Sequence, residues 1–329
     1  MSNTKLLQRL LSHFNDLKNE KGVTEVMINR PNEIIIEKDG EMFIHKVKNF
    51  GFAEQLRLAK GISGQSKQFI NDKNPLISCT LPQIDNQGGE RVQIVIPPVS
   101  EPDKIIISMR VPSTKKITYE QYLKQGAFKR INQTIDTKEE LREYYKAGDH
   151  YNFIKLAVRS KLNIMNSGGT STGKTTFTNA LVDLIPDDER IITLEDAREL
   201  NLQNKTNKVH LITSKGGQGM SNITFMDLLE ASLRLRPDRI LQSEIRDSSA
   251  YYYLKGINTG HPGSISTVHA DSAQNAITSI NMLVMQANLG WSIIDIDRYV
   301  RSIIDVVIQW EKKDNQRYIS EVLWLGENR

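Results

Sequence analysis

Residues 162–185 read LNIMNSGGTSTGKTTFTNALVDLI, and three kinds of local structure follow one another within them. LNIMN is a short apolar run of strand character. GGTSTGKT, residues 168–175, fits G-x-x-x-x-G-K-[ST] with nothing forced. FTNALVDLI then spaces its apolar residues as a helix does. Strand, glycine-rich loop and helix in that order define a phosphate-binding loop rather than a turn that is merely rich in glycine. Roughly one per cent of chains this long would match the pattern by chance, given average residue usage, and the flanking strand and helix remove most of those matches.

The chemistry of the loop follows from its residue types. Gly168, Gly169 and Gly173 let the backbone turn its N–H groups inward around phosphate oxygens, with Thr170, Ser171 and Thr172 between them. Lys174 is set to reach β- and γ-phosphates and the Thr175 hydroxyl to coordinate Mg²⁺, and Thr176 beside it is taken with the loop as nucleotide-binding. A helix starting near Lys174 adds its positive dipole end. A nucleotide with Mg²⁺ is therefore expected, although the loop alone does not separate kinases, GTPases, helicases and transport motors; the N-K-x-D segment a GTPase would want does not occur.

Outward from the loop, the alternation of strands and helices continues. After a helical stretch at 150–160 and the strand 162–166, further strands are expected at 190–195, 209–212, 239–242 and 263–268, most with helices after them. This predicts a largely parallel sheet covered on both faces. Residues 303–310 and 317–325, joined by 312–316, read as a terminal hairpin. Upstream the pattern differs. A helix at 4–19 precedes strands at 23–29, 33–38 and 41–46, with Asp39-Gly40 as a hairpin turn. A helix at 52–63 and strands at 76–81, 91–96 and 104–111 complete an α+β unit. The chain divides into an N-terminal domain at 1–111, a linker at 112–137 and a P-loop domain at 138–329.

Composition bounds the class. The 329 residues suit two domains, and 39% apolar with 25% charged residues is ordinary globular composition. The single cysteine, Cys79, excludes an intrachain disulfide and any multi-cysteine zinc site. No apolar run approaches the ~18 residues of a membrane span. Residues 1–150 carry 23 basic and 19 acidic side chains, and the remainder balance at 20 each. A cytoplasmic protein without a strongly basic nucleic-acid surface is expected. Seven basic residues against one acidic between Lys104 and Arg130 form a strip that reads as a solvated face, a contact with anionic lipid or an approach to a bound phosphate.

Three further segments carry candidate chemistry. IITLED, 191–196, ends a strand with Glu195, a candidate to hold the attacking water or the metal's water shell; the plainer reading is an exposed acidic strand end. LRLRPDRILQSEIR, 233–246, sets a strand before Glu244, a carboxylate able to orient water at the γ-phosphate and to bind Mg²⁺ through water. TGHPGSISTVHA, 259–270, brings His269 to the end of another strand, where it can report the γ-phosphate.

In this order and spacing, the four segments resemble the secretion ATPases that drive type II secretion, type IV pili and type IV secretion. GGTSTGKTT looks like that family's Walker A, IITLED its acidic box, LRPDRILQSEIRD its Walker B region and TGHPGSISTVHADS its histidine box. The resemblance implies an α/β protein in which an N-terminal α+β domain precedes a RecA-like P-loop ATPase domain. It implies a homohexameric ring at the cytoplasmic face of the bacterial inner membrane, working with other cytoplasmic and inner-membrane components of the apparatus. The segments VTEVMINRPNEIIIE, GGERVQIVIPP and ISMRVPS favour the type IV secretion and conjugation branch over type II and pilus motors. In that branch Arg91 and Arg110 match arginines that reach nucleotide phosphates. One departure stands out: Gln242-Ser243 precedes Glu244 where glycine is usual. A RecA-like nucleic-acid motor or a scaffold that binds ATP without hydrolysing it are the alternatives of other classes.

Overall fold

The computed structural model describes residues 16–82, 89–112, 118–129, 137–213 and 221–328. Two sheets organise them. The first is fully antiparallel, in the order β3-β2-β1-β6-β5-β4. Its strands are β1 (Val23–Ile28), β2 (Glu33–Lys38), β3 (Glu41–Lys46), β4 (Leu76–Thr80), β5 (Arg91–Val95) and β6 (Ile106–Arg110). The helix Phe52–Gln65 lays Leu58, Ala59 and Ile62 on a core with Ile34, Ile36, Ile94 and Ile107. The hairpin turn at Asp39-Gly40 is as expected, both residues having positive φ. The expected helix at 4–19 lies almost wholly outside the described residues.

The second sheet has seven strands in the order β13-β12-β7-β11-β10-β8-β9. They are β7 (Ile164–Gly168), β8 (Ile191–Glu195), β9 (Lys208–Ile212), β10 (Arg239–Gln242), β11 (Ile265–Val268), β12 (Val306–Lys313) and β13 (Gln316–Trp324). All pairs are parallel except β12–β13. Helices cover both faces, so the central strands β7, β8, β10 and β11 are buried along their whole length, polar residues included. The loop strand begins two residues later than the expected 162–166 and runs on to Gly168, because β12 pairs with it that far. The terminal hairpin is also longer than expected: its turn is only Asp314-Asn315, both with positive φ, a two-residue connection suited to the strands' twist. Within the expected linker, the described part contains the helix Tyr119–Lys124, capped by a reciprocal Thr118–Gln121 pair and burying none of its side chains.

The sheets meet along one side. Val95, Val99 and Ile106 share a core with Ile192, Leu194 and Val209, and Ile212 N donates to Val99 O at 2.8 Å. Arg190, fully buried, donates to Asn29 Oδ1 at 2.9 Å and Asn207 Oδ1 at 2.5 Å. Arg236 pairs with Glu37 at 2.6 Å. Among the described residues no helix is long and apolar enough to cross a membrane.

Candidate active site

The phosphate loop sits at the C-terminal edge of the parallel sheet, where ligands bind in open α/β folds. Gly168 ends β7 and Gly173 (φ 103°) caps the helix Lys174–Asp183, whose first turn has no side-chain cap. Its N–H groups therefore face the loop, ready for an anion. Gly168 is required by close approach as well: a Cβ there would lie 2.6 Å from the Trp310 carbonyl oxygen. Gly169, Thr170 and Thr172 line a cleft of about 670 Å³ together with His269 and Asp271.

Parallel pairing brings the ends of β7, β8, β10 and β11 to this same edge. Lys174 Nζ donates to the carbonyls of Gly168 (2.6 Å) and Gly169 (2.8 Å) and lies 3.4 Å from His269 Nδ1. His269 Nε2 is 3.3 Å from Glu244 Oε1. Glu244 is gripped by Arg246 through both carboxylate oxygens, at 2.5 and 2.6 Å, and Arg246 reaches Asp196 at 3.2 Å. Burial lowers the Lys174 pKa; Glu244 opposes that shift and Arg246 adds to it. The hydrogen bond to Glu244 is the main reason the Arg246 pKa is raised. The result is a continuous polar chain from the loop lysine to the carboxylate after β10.

Glu195 is placed differently. It is fully buried, and both oxygens are engaged: Oε1 accepts from the amides of Glu199 (2.9 Å) and Leu200 (2.8 Å), Oε2 from Thr193 Oγ1 (2.6 Å) and His210 Nδ1 (3.2 Å). Burial works to raise its pKa, yet these hydrogen bonds outweigh it and hold the carboxyl below its usual range. The turn it fixes carries Glu199, whose carboxylate accepts from the Thr175 hydroxyl at 3.2 Å. Among the described residues no cluster of His, Cys, Asp and Glu is arranged to hold a metal ion by itself. Hydroxyl and carboxylate oxygens around Thr175 are the hard donors that suit Mg²⁺, an ion usually completed by substrate phosphates and water.

The Gln242-Ser243 departure is accommodated within the strand end. Ser243 N donates to Leu194 O, Thr267 Oγ1 donates to Ser243 O, and the Gln242 amide bonds Glu244 O at 3.0 Å. Gln242 thus braces the turn that aims Glu244.

Arg91 and Arg110 are not brought to the phosphate loop of their own chain. Opposed in register on β5 and β6, they line a cavity of about 470 Å³ with Glu25, Arg234, Arg236 and His261. Arg236 precedes β10 and His261 precedes β11, so this cavity lies at the N-terminal edge of the parallel sheet, across from the loop. Arg246, Glu199 and the Thr193–His210 pair were missed by sequence reasoning; only Arg246, two residues beyond Glu244, had a local signal.

A phosphate loop, a lysine–histidine–carboxylate chain and a RecA-like parallel sheet define a P-loop nucleotide hydrolase behind an N-terminal antiparallel unit. The chain belongs to the type II/IV secretion system protein family, whose pattern matches residues 17–313. It is 37% identical over 322 residues to the type IV secretion system protein VirB11 of Bartonella quintana, spanning 93% of this chain and 89% of that protein. It is 33% identical over 332 residues to protein VirB11 of Agrobacterium fabrum, spanning 98% and 92%. The crystal structure of the VirB11 ATPase from the Brucella suis type IV secretion system, in complex with sulphate, superposes with a TM-score of 0.90 at 31% identity, covering 98% of this chain and 95% of that one.

Proposed function

We propose that this chain is an ATP-hydrolysing motor of a bacterial type IV secretion system, converting ATP and water to ADP and phosphate. The observation that carries this reading is the unbroken chain Lys174–His269–Glu244–Arg246 at the phosphate loop. Lys174 holds the β- and γ-phosphates, Glu244 orients and deprotonates the attacking water, and His269 bridges the two. The amides following Gly173 bind phosphate oxygens. Glu195 acts as a positioning residue, fixing the turn that sets Glu199 against Thr175. Thr175, with Glu244 through water, would hold Mg²⁺, which when bound would neutralise phosphate charge.

Two folding units, 1–111 and 138–329, joined by 112–137, are supported by one core confined to the first sheet's side and one confined to the second's, beside the core the two share where they meet. Since Arg91 and Arg110 face away from their own phosphate loop, they act on the nucleotide of a neighbouring copy. Head-to-tail contacts close into a ring when the rotation between copies allows it, and the resemblance to the secretion ATPases makes that ring a hexamer. The ring would sit at the cytoplasmic face of the inner membrane, against other components of the apparatus. Phosphate release measured with ATP, with and without Mg²⁺, together with electron microscopy for six-fold rings, tests the reading. Absence of Mg²⁺-stimulated turnover in a well-folded preparation would overturn it.

A further inference from the structure

We infer that Arg317, on the terminal hairpin, is a positioning residue for the phosphate loop, acting through Ser171. Ser171 sits at φ 61°, in the left-handed region that costs a residue with a Cβ free energy. Something must hold it there for the loop to keep its curve. Arg317 Nε donates to the Ser171 carbonyl at 3.1 Å, across 146 residues of sequence. The same side chain lies over Gly173, its Cδ 3.3 Å from where a Cβ would stand. The hairpin is itself anchored: β12 pairs with β7 up to Trp310 opposite Gly168, and the Trp310 ring packs against Phe177 of the loop helix at 4.8 Å. The guanidinium therefore reaches the loop from a rigid support, and its bond is made to backbone, leaving Lys174 and the amides to the phosphates.

This inference rests on the loop being the nucleotide site, and the test separates the two. ADP affinity is measured by calorimetry, and KM and kcat by phosphate release, for wild type, Arg317→Ala, Arg317→Lys, Ser171→Gly and the Arg317→Ala/Ser171→Gly double variant. Arg317→Ala is expected to weaken ADP binding and raise KM about five- to tenfold, with kcat changed less than about threefold. Arg317→Lys should resemble Ala, because an ammonium keeps the charge but not the fixed Nε donor. In the Ser171→Gly background, where the left-handed conformation no longer needs support, removing Arg317 should cost under about twofold. Full rescue by Lys, or strictly additive effects in the double variant, would overturn the inference. No ADP binding by wild type would instead overturn the assignment of the loop.

Discussion

Lys174 Nζ and His269 Nδ1 stand 3.4 Å apart, although ninety-five residues separate them in sequence. The contact joins the end of β7 to the end of β11, neighbouring parallel strands, and puts the histidine between the loop lysine and Glu244. One side chain, His269, therefore separates the loop lysine from the Glu244 carboxylate.

Lys174→Ala should abolish hydrolysis and weaken nucleotide binding by tenfold or more, roughly the worth of a charge-assisted contact with phosphate. Calorimetry with ADP and steady-state phosphate release check both parts. Normal turnover in that variant would move the active site elsewhere.

Glu244→Gln and Glu195→Gln should fail in different ways. Glu244→Gln keeps shape and should bind ATP while turnover falls about a hundredfold, typical of losing a general base. Glu195→Gln leaves buried donors poorly matched, so it should lower stability by about 2 kcal/mol and the melting temperature by roughly 4–8 °C. The folded Glu195 pKa is depressed, so its stabilising contribution is present above the ordinary glutamate value and lost as pH falls through the folded one. The stability gap between wild type and Glu195→Gln should therefore narrow in acid.

Mixing should reveal action between copies. Arg110→Ala and Lys174→Ala are each expected to be nearly inactive alone. Co-assembled in a head-to-tail ring, roughly a quarter of interfaces would pair an intact loop with an intact arginine edge. Turnover of the mixture above the sum of its parts is the expected result; strict additivity would show that Arg110 serves no neighbour.

Glu25 should make stability fall toward alkaline pH. Its carboxyl, at the wall of the arginine cavity, is pushed up to about 7 by burial, against the pull of Arg110. A raised folded pKa means the stabilising contribution is complete below the ordinary glutamate range and lost as pH rises through about 7. The effect is worth up to about 3 kcal/mol. Melting curves at pH 6 and 8.5 should show a decline for wild type that Glu25→Gln largely removes.

Much of this architecture is legible from local pattern. The strands Glu33–Lys38, Glu41–Lys46 and Arg239–Gln242 have the bounds expected from local pattern, the first two because a tight turn joins them and the third because its distant partners match its local limits. The loop strand is displaced because its end is set by pairing with β12, a little over 140 residues away, which no local window contains. The same holds at the site. Lys174, Glu244 and His269 carry local motifs and do converge. The burial of Glu195 depends on His210 and on amides of the following turn, and which edge of the sheet Arg91 and Arg110 face depends on how two sheets dock. An acidic strand end and a pair of arginines look alike in sequence whichever way the chain turns them.

The hairpin that buttresses the phosphate loop has a bearing on biogenesis. β7 is flanked by β11 on one side and by β12 on the other, and β12 and β13 span residues 306–324. During synthesis the loop leaves the ribosome long before the strand that completes its sheet. Until Trp310 has emerged, one edge of β7 has no partner and Gly168 lacks its wall, and Ser171 lacks its support until Arg317 follows. A nascent chain therefore carries its phosphate loop without these walls until the hairpin some 140 residues downstream has been made.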